Sequence, residues 1–168
     1  MNEDLNPYGR PVNENATPLY DSLIPWEEGH PMSDQFEVVD TGDERGRGLT
    51  SRVSFQKGGL VARLSGIITS HVTLNTIQIT PTLHFHDQWF CRFLLHSCDP
   101  NLAIDVTALE ARAVRDIQPG QYVTIDYRAT EDVIEYQFPC NCGADNCCGW
   151  MRGRAEKPNS EGRLFLTQ

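Results

Sequence analysis

From Phe36 onward the chain alternates short apolar runs with glycine-, proline- and asparagine-rich punctuation. Apolar and polar positions that alternate at period two over four to eight residues are the signature of half-buried strands. That pattern predicts strands at 36–39, 49–55, 60–68, 74–80, 83–86, 102–105, 109–114 and 122–126. The segments 41–48 and 116–120 read as turns, and Gln56-Lys57-Gly58-Gly59 reads as a hairpin connection between the strands that flank it. The run 89–95 has helical character and leads into the turn Cys98-Asp99-Pro100-Asn101. No internal repeat or heptad pattern interrupts this texture. The class expected is mainly β with a few short helices.

Residues 1–35 differ. Pro7, Pro11, Pro18, Pro25 and Pro31 punctuate a stretch rich in Asn, Glu and Asp, which forms neither helix nor strand easily. An N-terminal arm, partly disordered, is expected, with order centred on 19–26 where it lies on the domain or on a second subunit of a homodimer. A chain of 168 residues suits one domain with extensions.

Charge narrows the partners. A formal net charge of −9 disfavours a nucleic-acid surface, which needs clustered Lys and Arg against phosphate. It suits a basic ligand such as a lysine-rich peptide, although a merely solvated acidic surface has the same composition. All six cysteines fall between Cys91 and Cys148, the N-terminus lacks a leader-like apolar run, and no segment approaches the roughly 20 apolar residues of a membrane span. A metal site in a reducing, intracellular compartment, nucleus or cytoplasm, fits better than a disulfide framework.

Cys140-x-Cys142-x4-Cys147 supplies three thiols where zinc prefers four tetrahedral ligands. Among Cys91, Cys98 and Cys148, Cys98 is the best fourth donor, because it stands at the entrance of a turn. Without metal the four would be buried reduced thiols. His84 and His86 lie on one side of a strand, but no third ligand accompanies them, so pocket or surface polarity is the simpler reading.

Three ordered segments carry a resemblance. Arg92-Phe93-Leu94-Leu95-His96-Ser97-Cys98-Asp99-Pro100-Asn101, Gly120–Tyr127 and Phe138–Cys147 together resemble the SET domain of protein-lysine methyltransferases with its cysteine-rich post-SET tail. The resemblance implies a SET-type β-clip of small curved sheets with a threaded C-terminal segment. It divides the chain into an arm (1–35), a SET domain (36–135), a post-SET zinc-binding segment (136–153) and a C-terminal tail (154–168). One structural zinc would be held by Cys98, Cys140, Cys142 and Cys147, placing Trp150 over the mouth of the substrate channel. S-adenosylmethionine would bind near Gly46-Arg47-Gly48, Arg92, Leu95 and His96, with the glycines leaving room for close backbone approach. Arg92 would pair with a carboxylate, Asn101 would brace the threaded segment, and Tyr127 would be the catalytic tyrosine where lysine channel and cofactor meet. Ile125, two residues earlier, offers no hydroxyl to restrict methyl number.

The chain departs from the family pattern at two places. Leu95 stands where the family has an asparagine that hydrogen-bonds the amino-acid end of the cofactor, and Gln88-Trp89 replaces a Gly-Asn pair. An unpaired ligand group costs about 1–3 kcal/mol, roughly ten- to two-hundred-fold in affinity. The expected function is therefore methyl transfer to a lysine amine of a basic peptide or protein, or to a small-molecule amine. The alternative is a SET-like scaffold that does not methylate, either a zinc-stabilised peptide-binding module or an enzyme turned to other small-molecule chemistry.

Overall fold

The computed structural model describes residues 13 and 15–167, so the expectations for 1–12 lie outside the described residues. In chain order the strands are β1 (Phe36–Asp40), β2 (Arg47–Ser51), β3 (Leu60–Arg63), β4 (Gly66–Thr69), β5 (Thr76–Thr80), β6 (Leu83–Asp87), β7 (Leu95–His96), β8 (Leu102–Asp105), β9 (Glu110–Ala113) and β10 (Thr124–Ile125). A short helix α1 (Tyr127–Thr130), strands β11 (Phe138–Pro139) and β12 (Trp150–Met151) and helix α2 (Ser160–Phe165) complete the chain.

Among the described residues these short strands assemble as five small sheets. β1–β2 is an antiparallel ribbon, β3-β9-β8 and β4-β6-β5 are antiparallel trios, β10 runs parallel to β7, and β11 pairs with β12. The first four share one core around Leu49, Phe90, Leu102, Ile117 and Val123, each at most 1% exposed, while β11–β12 packs into a second cluster with Met151, Cys98 and Cys140. Phe36 links its layers, with its ring 5.8 Å from Phe55 and edge-on to Phe90 at 5.2 Å.

Three local expectations change. The run 60–68 is two strands, because the chain turns a corner at Leu64-Ser65: β3 pairs with β9 while β4 pairs with β6. Residues 56–59 do form a turn, closed by the Gly59 N–H on the Gln56 carbonyl, but the strands on either side pair elsewhere and make no hairpin. The helical run at 89–95 yields only a 3-10 turn over Cys91–Phe93. Leu95 and His96 are taken into parallel pairing with Thr124 and Ile125, so tertiary pairing overrides helix propensity.

Asp87, at the end of β6, is fully buried and accepts from the Trp89 and Cys91 N–H groups, the Ser65 N–H and the Tyr20 hydroxyl. The described part of the arm is thereby fastened to the domain. Tyr20 also stands edge-on to buried His30, and backbone bonds between Leu19 and Pro31 and between Ser33 and Thr17 close the arm on itself. Leu23 and Trp26 stay exposed.

Gly48 of β2 has a steric reason of its own. A Cβ there would stand 2.7 Å from Leu95 Cδ1 and 2.9 Å from the Tyr122 ring, so those side chains already fill the space. Gly48→Ala is expected to cost about 1–3 kcal/mol, the usual penalty of overpacking, measurable by urea unfolding.

Candidate active site

The parallel pairing of β7 with β10 brings the two central segments together. Asn101 clasps them, its Nδ2 donating to the Tyr122 carbonyl at 2.8 Å and its Oδ1 accepting the Thr124 N–H at 2.9 Å. The chain leaving β10 passes Asp126, whose side chain caps α1 by accepting the Arg128 N–H. That cap fixes Tyr127 as the first residue of the helix, turned inward. Its hydroxyl donates to the Leu94 carbonyl at 2.7 Å, and its N–H donates to His96 Nδ1 at 3.2 Å. Burial, with the nearby Cys91 and Glu131 charges, raises the Tyr127 pKa, so the phenol stays neutral.

Two cavities meet at this tyrosine. The larger, about 370 Å³, is lined by Glu44, Arg45, Leu95, His96 and the segment 138–142. The smaller, about 50 Å³, runs between 72–77 and 130–138 and reaches Cys91 and Ile125. Tyr127, Phe138, Leu74 and Tyr136 line both.

The predicted residues divide accordingly. Leu95, His96 and Tyr127 gather at the larger cavity, whereas Gly46, Arg47 and Gly48 do not line it; their neighbours Glu44 and Arg45 do. Gly46, with φ +73°, serves the turn after β1. The Arg47 guanidinium lies 5.4 Å over the Phe93 ring. Arg92 corrects an expectation: it is exposed and lies 5.6 Å from the same ring, with no carboxylate partner among the described residues. Trp150 corrects another, since it lines neither cavity. It is buried, donates to Gln137 Oε1 at 2.9 Å and packs beside Phe165 and Gly162 of α2, so the C-terminal segment is docked onto the post-SET region.

The four predicted cysteines converge, with the Sγ atoms of Cys98, Cys140, Cys142 and Cys147 all within 4.8 Å of one another. A second set, His96, Cys98, Cys140 and Cys148, meets the same limit. The hydrogen-bond pattern favours the four-cysteine set. Burial lowers the His96 pKa to about 4, so the ring is neutral, and Nδ1 accepts the Tyr127 N–H. With Nδ1 taking that N–H, Nε2 is placed to carry the ring hydrogen, and it faces Cys98 Sγ at 3.3 Å as a donor would. The Cys148 N–H also donates to Cys98 Sγ, and the Cys98 N–H donates to Cys142 Sγ. Burial opposes ionisation of Cys142, but the Cys98 and Ala144 N–H groups outweigh it and bring the thiol down to about 7. Donors aimed at sulfur suit a thiolate metal centre. His96 thus joins the cysteine cluster to Tyr127.

Comparison with known proteins adds a decisive match: residues 46–128 fit the SET domain model. Residues 46–128 are a SET domain. Among SET-domain relatives, a histone-lysine N-methyltransferase of Arabidopsis thaliana, ASHR3, is 36% identical over 74 residues, covering 40% of this chain and 14% of that protein. The methyltransferase flvH of Aspergillus flavus is 28% identical over 135 residues, covering 76% of this chain and 73% of that one. The crystal structure of KRYPTONITE in complex with mCHG DNA and SAH superposes at a TM-score of 0.57 with 26% identity, over 68% of this chain and 28% of that one. The chain thus spans a small part of the plant relative and most of the fungal one. Among the described residues no helix is long and apolar enough to cross a membrane.

Sequence reasoning missed Glu131, which lines the smaller cavity, and did not place Cys91 there, which is buried in the core and lines the same cavity. No spacing rule marks either one. What places them is the register of α1 and the 3-10 turn.

Proposed function

We propose that this SET-domain chain is an S-adenosylmethionine-dependent methyltransferase acting on a lysine amine, with one structural zinc on Cys98, Cys140, Cys142 and Cys147. The carrying observation is the meeting of two unequal cavities at Tyr127. Cofactor and acceptor then enter separately and face each other across one hydroxyl, which meets the need for in-line approach and excluded water. When bound, S-adenosylmethionine supplies a methyl group on a sulfonium. The Tyr127 hydroxyl, committed as a donor to Leu94, keeps its lone pairs available to an amine N–H or a polarised methyl group. The larger cavity suits an adenosyl-sized ligand, and the SAH in the KRYPTONITE structure supports the same assignment. Relatives named as histone-lysine methyltransferases make a lysine-containing protein, in nucleus or cytoplasm, the substrate class favoured over a non-catalytic scaffold.

Calorimetric titration with S-adenosylhomocysteine tests the cofactor reading. Leu95 lines the larger cavity and offers no hydrogen bond to the ligand, so wild type is expected to bind weakly but measurably. Leu95→Asn is expected to bind tighter by about 0.5–1.5 kcal/mol, the value of one recovered hydrogen bond. No heat from either protein would overturn the reading.

A further inference from the structure

The smaller cavity contains a charged group that neither the cofactor site nor the cysteine cluster uses. Glu131 ends α1, donating its N–H to the Tyr127 carbonyl at 2.8 Å, and its side chain turns inward, leaving the residue 6% exposed. It lines the cavity together with Tyr127, Cys91 and Ile125. Oε1 accepts the Gln78 N–H at 3.0 Å, whereas Oε2 is buried with no hydrogen-bond partner. His84 on β6 brings Nδ1 to 3.9 Å, beyond hydrogen-bonding range, and that nitrogen is likewise buried without a partner. The neighbouring charges are already engaged, Asp132 by Gln78 Nε2 and by Arg154 Nε, each at 2.6 Å.

A buried carboxylate oxygen left unpaired bears the full cost of its desolvation, and such costs are retained at functional sites. Burial lifts the Glu131 pKa to about 7; the Gln78 N–H, the Thr130 hydroxyl and Arg154 pull it down and Asp132 pushes it up. The Glu131 charge in turn raises the pKa of both the Tyr127 phenol and the Cys91 thiol. A second carboxylate, Glu135, lines the same cavity and accepts the Leu74 N–H at 2.6 Å. The cavity is narrow, with apolar walls at Ile77 and Ile125, and it is acidic. An unbranched alkyl chain ending in a cation fits that combination.

We propose that Glu131 is the specificity-determining residue of the smaller cavity, its carboxylate receiving the alkylammonium group of the methyl acceptor. The assignment deepens the methyl-transfer reading and rests on it. It selects an amine over an alcohol or thiol of equal length, because only the ammonium supplies the charge and the N–H donors that Oε2 lacks.

The test uses the full chain, as wild type and Glu131→Gln, with n-butylammonium as probe and n-butanol as its neutral counterpart. Glutamine keeps an oxygen for the Gln78 N–H and removes the charge. At pH 8 with saturating S-adenosylhomocysteine, wild type is expected to bind n-butylammonium at least tenfold more tightly than the variant, and more tightly than n-butanol. The wild-type advantage should fade towards pH 5 as Glu131 is protonated. Equal affinity of the two proteins for n-butylammonium, or no binding by wild type, overturns the role. Failure of S-adenosylhomocysteine to bind would instead overturn the cofactor reading, and the same amine titration without it still judges Glu131. Thermal unfolding gives a second readout. The folded pKa, about 7, lies above the ordinary glutamate value of 4.5, so stability is full below the latter and lost as pH rises through the former. Glu131→Gln should therefore unfold at a higher temperature than wild type at pH 8, and the gain should vanish near pH 4; a lower midpoint at pH 8 would mark Glu131 as a structural group and overturn the proposal.

Discussion

Replacing Asp87 with alanine is expected to destabilise the protein by about 3 kcal/mol or more, enough to unfold a marginal domain. Four donors converge on this fully buried carboxylate, two on each oxygen: Trp89 and Cys91 N–H on Oδ1, Tyr20 hydroxyl and Ser65 N–H on Oδ2. Burial alone raises the Asp87 pKa, and these donors oppose the rise. Alanine would leave the Trp89 and Cys91 N–H groups without acceptors, the Ser65 N–H with only the Tyr20 hydroxyl, that hydroxyl with only the distant Arg63 carbonyl, and a void among the arm, the β3–β4 corner and the 3-10 turn. Asp87→Asn keeps Oδ1 but turns an amide donor towards the Ser65 N–H, so about half the cost should remain. Tyr20→Phe, which removes one partner, should cost about 1–2 kcal/mol. Urea unfolding of the three variants measures the series. An alanine variant within 1 kcal/mol of wild type would show that the arm and corner are held by something else.

Removing metal is expected to have a comparably large effect, felt at a distance. Zinc on Cys98, Cys140, Cys142 and Cys147 would tie the turn after β7 to the segment that carries Phe138, and structural zinc sites contribute their binding energy to folding. Chelation, or Cys98→Ser, should lower the unfolding midpoint sharply and weaken S-adenosylhomocysteine binding, because 138–142 line the larger cavity. The ligand assignment is separately testable by metal analysis. Cys148→Ser should retain one zinc per chain, since Cys148 contributes its N–H to Cys98 Sγ rather than its own sulfur. Cys142→Ser should not. His96→Ala should keep zinc but weaken its affinity about 10- to 100-fold, as loss of an outer-shell donor does. Full zinc in Cys142→Ser with loss in Cys148→Ser would reverse the assignment towards the His96–Cys148 set.

These expectations rest on different depths of information. The position of most strands, the cysteine set and the pivotal tyrosine were legible along the chain, because period-two alternation, Cys-x-Cys-x4-Cys spacing and the Gly120–Tyr127 frame are local patterns with local causes. Local pattern also misled, for a consistent reason. Residues 89–95 have helical apolar spacing, but a two-residue parallel pairing with Thr124 and Ile125 takes their end, and that partner lies some thirty positions away. Arg92 and Trp150 were placed by resemblance, and the neighbours each one actually has are set by packing: the Phe93 ring for the first, α2 for the second.

The chain's local patterns carried the mainly β character and the SET resemblance, and they pointed to the convergent Cys98, Cys140, Cys142 and Cys147 thiols and to Tyr127 as a lining residue. Packing in three dimensions is what shows that Gly48 serves Leu95 and Tyr122, that His96 faces Cys98 Sγ, and that Asp87 anchors the arm. It alone brought Glu131 unpaired into the smaller cavity beside Tyr127. The physical reason is that a thiol spacing or an alternating strand is a property of neighbours along the chain. Desolvation, hydrogen-bond direction and an unsatisfied lone pair are instead properties of atoms brought together from distant segments, and no window of sequence contains them.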